Sequence, residues 1–468
     1  MLRLLRITFA IFACFYASFA HAGDPTITGT TINSANSAVT VTFSEDVFNT
    51  IGGSGDLQAA DFVLSISGGS ATIGATTPTS ISKTSQTVWV LGFSTSGIAN
   101  GSETIAVVPV LNSIYDAAAD AAATSQSNNT AALNEKVVPI ISGTTVNSAN
   151  SQVTVTFAEN VYNATGGSGN LEVGDFALSI SGGVATIASA TPTTISKTSQ
   201  SVWVLGFSTS GVANGSETVA VVPIDDSIYD GTANEAATSQ SNNTAALNEK
   251  VAPIISGATV NSANTEVTVT FAENVYNATG GSGDLEVGDF ALSISGGAAT
   301  IVAATPTSIS KTSQSVWVLG FSTSGIANGS ETIAVVPAAS NSIYDAADNV
   351  AATSQSNNTA TFNEKVLPTL TTVGIVSNNA NTDGPWATTG DVITLTVVSS
   401  ETIAEPVVTF RSGGVAIADT SIAYVNTTGN TWTAKYTAEA SDTEGNVTFS
   451  VAFQDSSGNV GSPRTTVT

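Results

Sequence analysis

The segment TVWVLGFSTSGIANGSETIAVVP at Thr87–Pro109 returns almost letter for letter at Ser201–Pro223 and again at Ser315–Pro337. Trp89, Trp203 and Trp317 are translates of one another by 114 residues. Such a period exceeds the roughly 20–50 residues of stacked solenoid repeats and matches a whole domain. Pro25, Pro139, Pro253 and Pro368 open successive units at spacings of 114, 114 and 115. The extra residue falls near Ala338–Asn341, where an insertion reads as a surface loop. The expected partition is 23–138, 139–252, 253–367 and 368–468. The last unit diverges and lacks the VWVLGF block.

Within a unit the hydrophobic period is two. Val39, Val41 and Phe43 alternate with Thr40 and Thr42, the pattern of a half-buried strand with β-branched residues even on its wet side. Phe62–Ile66 alternates likewise and stops at Gly68-Gly69, a turn. Val88–Leu91 and Thr104–Val108 follow, the latter closed by Pro109. In the fourth unit Val392–Val397, Val407–Phe410, Thr431–Tyr436 and Val447–Phe453 repeat the pattern in other words, with Gly429-Asn430 at a tight turn. Short strands punctuated by Gly, Asn and Ser predict β-sandwiches, since one amphipathic sheet must bury its apolar face against another. Ala117–Ala123 is expected to form one helical turn. The aromatic of Trp89 reads as core. Joins such as Asn134–Val138, Asn248–Ala252 and Asn363–Leu367 contain no flexible spacer. They predict a semi-rigid rod on the order of 150 Å long.

Residues 1–22 read as an export signal. Arg3 and Arg6 precede an apolar run from Ile7 to Phe19, and Ala20-His21-Ala22 offers a small-residue cleavage site. Cys14 in that run leaves a lipid anchor as the alternative, and the run is short for a permanent membrane helix. The only Cys, His and Met of the chain lie in this segment. Downstream of it no thiolate or imidazole nucleophile, Ser-His-Asp triad or soft-metal site can be built. No catalytic residue is expected. A formal net charge of −25 opposes nucleic acid as a partner. The expected location is secreted or at the cell surface after export across the inner membrane, with no membrane span once the signal is cleaved. Thr466-Val467-Thr468 reads as the end of a strand, leaving free secretion or further domains beyond it as the two expectations.

Each unit opens on a proline, Pro25 in the first, and continues through the strand ending Val41-Thr42-Phe43-Ser44-Glu45-Asp46-Val47, Asp61-Phe62, and Ile114-Tyr115-Asp116-Ala117-Ala118. Ile343–Asn349, and in the fourth unit Ser400–Ile403 and Asp455–Val460, occupy corresponding places. This signature gives the chain a resemblance to bacterial Ig-like domains of extracellular repeat proteins and surface adhesins. The resemblance implies an all-β fold, a tandem array of Ig-like β-sandwich domains. The function implied is a semi-rigid spacer or multivalent surface-binding array whose partners are cell-surface or extracellular proteins or glycans.

Carboxylates at strand ends and loops, flanked by Asn and backbone carbonyls, are oxygen donors suited to Ca²⁺. One structural Ca²⁺ per unit or per junction is expected at Glu45, Asp116 and Glu135, and at their copies Glu159, Asp230, Glu249, Glu273, Asp345 and Glu364. The competing reading is solvated acidic loops, since the DxDxDG order of a dedicated loop is missing. Trp386, after Gly384-Pro385, is the expected exposed aromatic. It supports the alternative of a carbohydrate-binding array using loop aromatics.

Overall fold

The alternating runs form strands in the computed structural model, which describes residues 23–381 and 383–468; the expected signal segment and its Cys14 lie outside the described residues. In the first repeat these are β1 (Ile27–Ile32), β2 (Ala38–Phe43), β3 (Phe62–Ser67), β4 (Thr72–Ile73), β5 (Ser80–Lys83), β6 (Val88–Gly92), β7 (Thr95–Ser96), β8 (Thr104–Pro109) and β9 (Thr130–Ala132). One sheet has the order β1-β2-β6-β5 and the other β3-β8-β9, with β4 and β7 forming a small third ladder. All named pairs are antiparallel. A four-strand sheet facing a three-strand sheet in this order is the immunoglobulin arrangement. The same orders recur in the second and third repeats. The chain is thus an all-β tandem array of Ig-like sandwiches.

The side-chain period decides what is buried. Val39, Val41 and Phe43 of β2, Phe62 and Leu64 of β3, Trp89 and Leu91 of β6, and Ile105 and Val107 of β8 point into one core. Trp89 is fully enclosed and its Nε1 donates to the Gln86 carbonyl at 3.1 Å, so the indole meets both its apolar and its polar need. Packing divides the chain into two compact units, one closing at Glu249 and the other opening at Lys250. Each holds two separate cores, spanning Ile27–Leu133 and Ile141–Leu247 in the first unit, and Ile255–Phe362 and Leu370–Phe453 in the second. In the divergent repeat, Trp432 pairs with Val397 as Trp89 pairs with Val41. The register of the missing VWVLGF strand is kept by TWTAKYT.

Ala117–Ala123 is not helical. Tyr115 bridges Phe48 on one side and Ala121 on the other, and the Asp116 carboxylate accepts the Asp120 N–H at 2.8 Å. These contacts pull the segment into a tight turn with Ala119 at φ 77°, outside the helical region. The helical turns among the described residues are instead three-residue 3₁₀ turns at Ala59–Asp61, Val173–Asp175 and Val287–Asp289. The inserted residues near Ala338–Asn341 lie in an exposed turn.

A buried carboxylate locks two loops of each close repeat. Glu103 is fully enclosed and accepts backbone N–H groups from Ser70 at 2.6 Å, Ala71 at 2.9 Å and Asn100 at 3.0 Å. Glu217 and Glu331 repeat this with Val184, Ala185 and Asn214, and with Ala298, Ala299 and Asn328. Gly69, at φ +54°, is required here because a Cβ would lie 2.1 Å from the Glu103 carboxyl carbon. Burial alone would raise the Glu103 pKa, but the converging N–H donors outweigh it and hold the carboxyl at about 2. Glu217 and Glu331 are shifted in the same direction. A depressed folded-state pKa gives stability that is present above the ordinary value of 4.5 and lost as pH falls from there toward 2. Melting temperature should therefore drop through that window in the native chain. In a Glu103→Gln, Glu217→Gln, Glu331→Gln triple variant it should start lower and vary less, as followed by calorimetry against pH.

Candidate functional site

Each candidate carboxylate extends the inward-facing row of its strand or loop by one step of two residues. Glu45 follows Phe43, Asp116 follows Ile114 and Glu135 follows Leu133. All three preceding residues are buried. Glu159, Asp230 and Glu364 follow buried Phe157, Ile228 and Phe362 in the same way. Alternation thus carries a carboxylate to the mouth of the sandwich, where the core ends and loop polar groups begin.

The trio Glu45, Asp116 and Glu135 does not assemble. Glu45 and Asp116 face each other at the opening end of the first sandwich, with Asp120 and Asp24 nearby. Burial first, then these three acids, pushes the Glu45 carboxyl up. Glu135 lies in the join after the first sandwich and meets Glu159 and Asp230 of the second. These three line a cavity of about 350 Å³ with Asn100, Val137 and Thr232. Thr232 Oγ1 donates to Glu135 Oε2 at 2.6 Å and lies 3.0 Å from Asp230 Oδ2. Asn234 Nδ2 donates to Asp230 Oδ2 at 2.7 Å and also to the Glu135 carboxylate, so one amide ties the join to the next sandwich. Asp230 is 1% exposed and further accepts the N–H groups of Thr232 and Asn234 at 2.8 Å.

These environments split the acids electrostatically. Burial, followed by repulsion from Asp230 and Glu135, raises Glu159 to about 7. Burial also raises Glu135. For Asp230 burial is outweighed by donors from Asn234, and its carboxyl is held down.

The second unit contains a parallel arrangement. Carboxylate oxygens of Glu364, Glu401 and Asp455 all lie within 4.8 Å of one another. Asn459 Nδ2 donates to Asp455 Oδ2 at 2.8 Å and to the Glu364 carboxylate, as Asn234 does in the first unit. Burial, then Glu364 and Asp455, raises Glu401. Glu401 and Asp455 stand at places the sequence already matched to the other repeats, but they were not carried into the candidate set. The two-residue step was the available signal, since Ser399 and Phe453 are both buried.

Among the remaining candidates, Asp345 is 1% exposed and accepts the N–H groups of Ala347 and Asn349 at 2.8 Å, with half-buried Glu273 in the same repeat. Glu249 closes the first unit beside the Gly215 loop, as Glu135 and Glu364 lie beside Gly101 and Gly329. Trp386 is 60% exposed in the loop between strands Leu370–Ser377 and Val392–Ser399.

No family model matches the chain, and no curated protein does. Among solved structures, a tetra-tandem repeat from the extending region of a large adhesion protein is 15% identical. The match covers 94% of this chain and 98% of that one at a TM-score of 0.26. A three-Ig segment of titin is 10% identical over 70% of this chain and 96% of its own, with a TM-score of 0.27. The three-Ig ectodomain of mouse nectin-like molecule 4 is 10% identical over 69% and 95%, with a TM-score of 0.21. Likeness at these scores carries nothing beyond the strand order already described. No helix among the described residues is long and apolar enough to cross a membrane.

A raised folded-state pKa gives stability that is fully present below the ordinary value and lost as pH rises through the folded value. For Glu159 that window runs from 4.5 to about 7. In buffer free of divalent cations, melting of the native chain should fall across this window, and Glu159→Gln should flatten that arm. Calorimetry from pH 4 to pH 8 checks it; an unchanged slope in the variant would show that the carboxylate is not strained.

Proposed function

We propose that the chain is an exported structural array of four Ig-like sandwiches, a spacer at the cell surface whose joins are stiffened by Ca²⁺. The observation that carries this reading is the glutamate of the join reaching a buried aspartate of the following sandwich. It occurs as Glu135 with Asp230 and as Glu364 with Asp455. The donor sets, Glu135, Glu159 and Asp230 in one unit and Glu364, Glu401 and Asp455 in the other, are all oxygen, the preference of a hard cation. Their mutual repulsion is what a divalent ion relieves. Within single units, the pairs Glu45 with Asp116 and Glu273 with Asp345 extend the reading to the other sandwich ends. The acidic surface and an array of near-identical repeats suit holding a binding partner away from the cell more than chemistry on a substrate.

Calcium titration of the purified chain should raise its melting temperature and lower its conformational spread in small-angle scattering, and chelation should reverse both. The Glu364→Gln, Asp455→Asn variant should lose the part of the calorimetric binding that belongs to the second unit. Binding and scattering indifferent to calcium would leave only solvated acidic loops.

The alternative of glycan binding is favoured by the exposure of Trp386, whose indole is free to stack on a sugar ring. On a glycan array, Trp386→Ala should abolish any signal the native chain gives; retention of that signal would remove the tryptophan from the reading.

A further inference from the structure

The first strand and the last segment of each close repeat run alongside each other in the same direction, although they belong to different sheets. In the first repeat Ile27 N–H donates to Gln126 Oε1 at 2.7 Å, and Thr30 Oγ1 donates to the Asn128 carbonyl at 2.8 Å. Asn36 then closes the row. Its Nδ2 donates to the Asn134 carbonyl at 2.7 Å, and its Oδ1 accepts both the N–H and the Nδ2 of Asn134 at 2.9 Å. Asn134 Nδ2 also donates to the Asn33 carbonyl at 2.9 Å. Partners thus advance together along both segments, from 27 with 126 to 36 with 134.

The second repeat has the same set: Ile141 with Gln240, Thr144 with Asn242, and Asn150 with Asn248. The third keeps Ile255 with Gln355 and Asn264 with Asn363, but Ala258 stands where Thr30 and Thr144 supply a hydroxyl. Asn36, Asn150 and Asn264 are 6–7% exposed, so water competes poorly for these bonds.

The chain enters each repeat at the start of this row and leaves at its far end. Tension pulling the two ends apart therefore slides the two segments past one another. It loads the cross-links together rather than opening them one by one.

We infer that the paired asparagines and their neighbours form a shear clamp, which makes each close repeat resist unfolding under tension, and that the third repeat, one link short, yields first among the three. The inference rests on the spacer reading, since a spacer between a cell and its partner is loaded along its length. It requires no bound ion.

The test is single-molecule unfolding of the full chain at constant force, where lifetimes report the unfolding rate. Asn150→Gly accommodates the left-handed backbone and removes the side-chain amide. One repeat should then unfold about tenfold faster or more, as losing several hydrogen bonds implies. Ala258→Thr should lengthen the shortest lifetime about fivefold, the effect of one ordinary bond. Ile180→Val, a mild trim against the second core on strand Phe176–Ser181, which pairs with Thr218–Pro223 and with neither terminal segment, serves as a control. It should shorten the lifetime far less than Asn150→Gly for a comparable loss of melting temperature. If the two variants shorten it equally, or Ala258→Thr changes nothing, the clamp is overturned while the spacer reading stands. Calcium-independent scattering, conversely, would weaken the stiffened joins and leave the clamp untouched.

Discussion

Closure of a four-strand sheet over a three-strand sheet depends in every repeat on inward-packed side chains, because one cysteine in the whole chain allows no internal disulfide. Phe43 and Phe62 meet across the sheets with ring centroids 6.3 Å apart, and Phe157 with Phe176 and Phe271 with Phe290 repeat the contact at 6.4 Å. These contacts hold the strand ends, and the strand ends hold the acids. Phe43 precedes Glu45 and Phe157 precedes Glu159 by two residues, so a shift of the phenyl ring would move the carboxylate with it. The junction chemistry is therefore subordinate to the packing of the core.

The sandwich class was readable because its determinant is local. Val39, Val41 and Phe43 alternate within six residues, and burial follows that alternation one for one. Trp89 was equally legible as core. The fourth repeat shows that pattern outlasts wording, since Trp432 keeps the register of Trp89 in a strand of different sequence. Ala117–Ala123 misled because alanine propensity is weak against an aspartate that captures the backbone of its own turn.

What was not legible depends on residues far apart in the chain. Glu135 was grouped with Glu45 and Asp116 because all three belong to one period, whereas its neighbours are Glu159 and Asp230 of the next. The path of the join decides this, and no spacing in the sequence encodes it. Glu103 carries no local mark that sets it apart from acids of exposed loops. Its burial becomes evident only when the Ser70 and Asn100 loops are seen converging on it. Asn36 and Asn134, separated by 98 positions, carry no local mark of their pairing.

Asn36, Asn150 and Asn264 hold φ values of 53°, 53° and 57°, a backbone conformation that most side chains reject. Glycine would accept the angle but brings no amide. Aspartate could take the angle and receive a hydrogen bond, yet it cannot donate one to the facing carbonyl. Both demands, the torsion and the two-way side chain, are met together by asparagine. Any other side chain at this turn therefore gives up either the torsion or a hydrogen bond, even though the residues on both sides of it are exposed or half-buried.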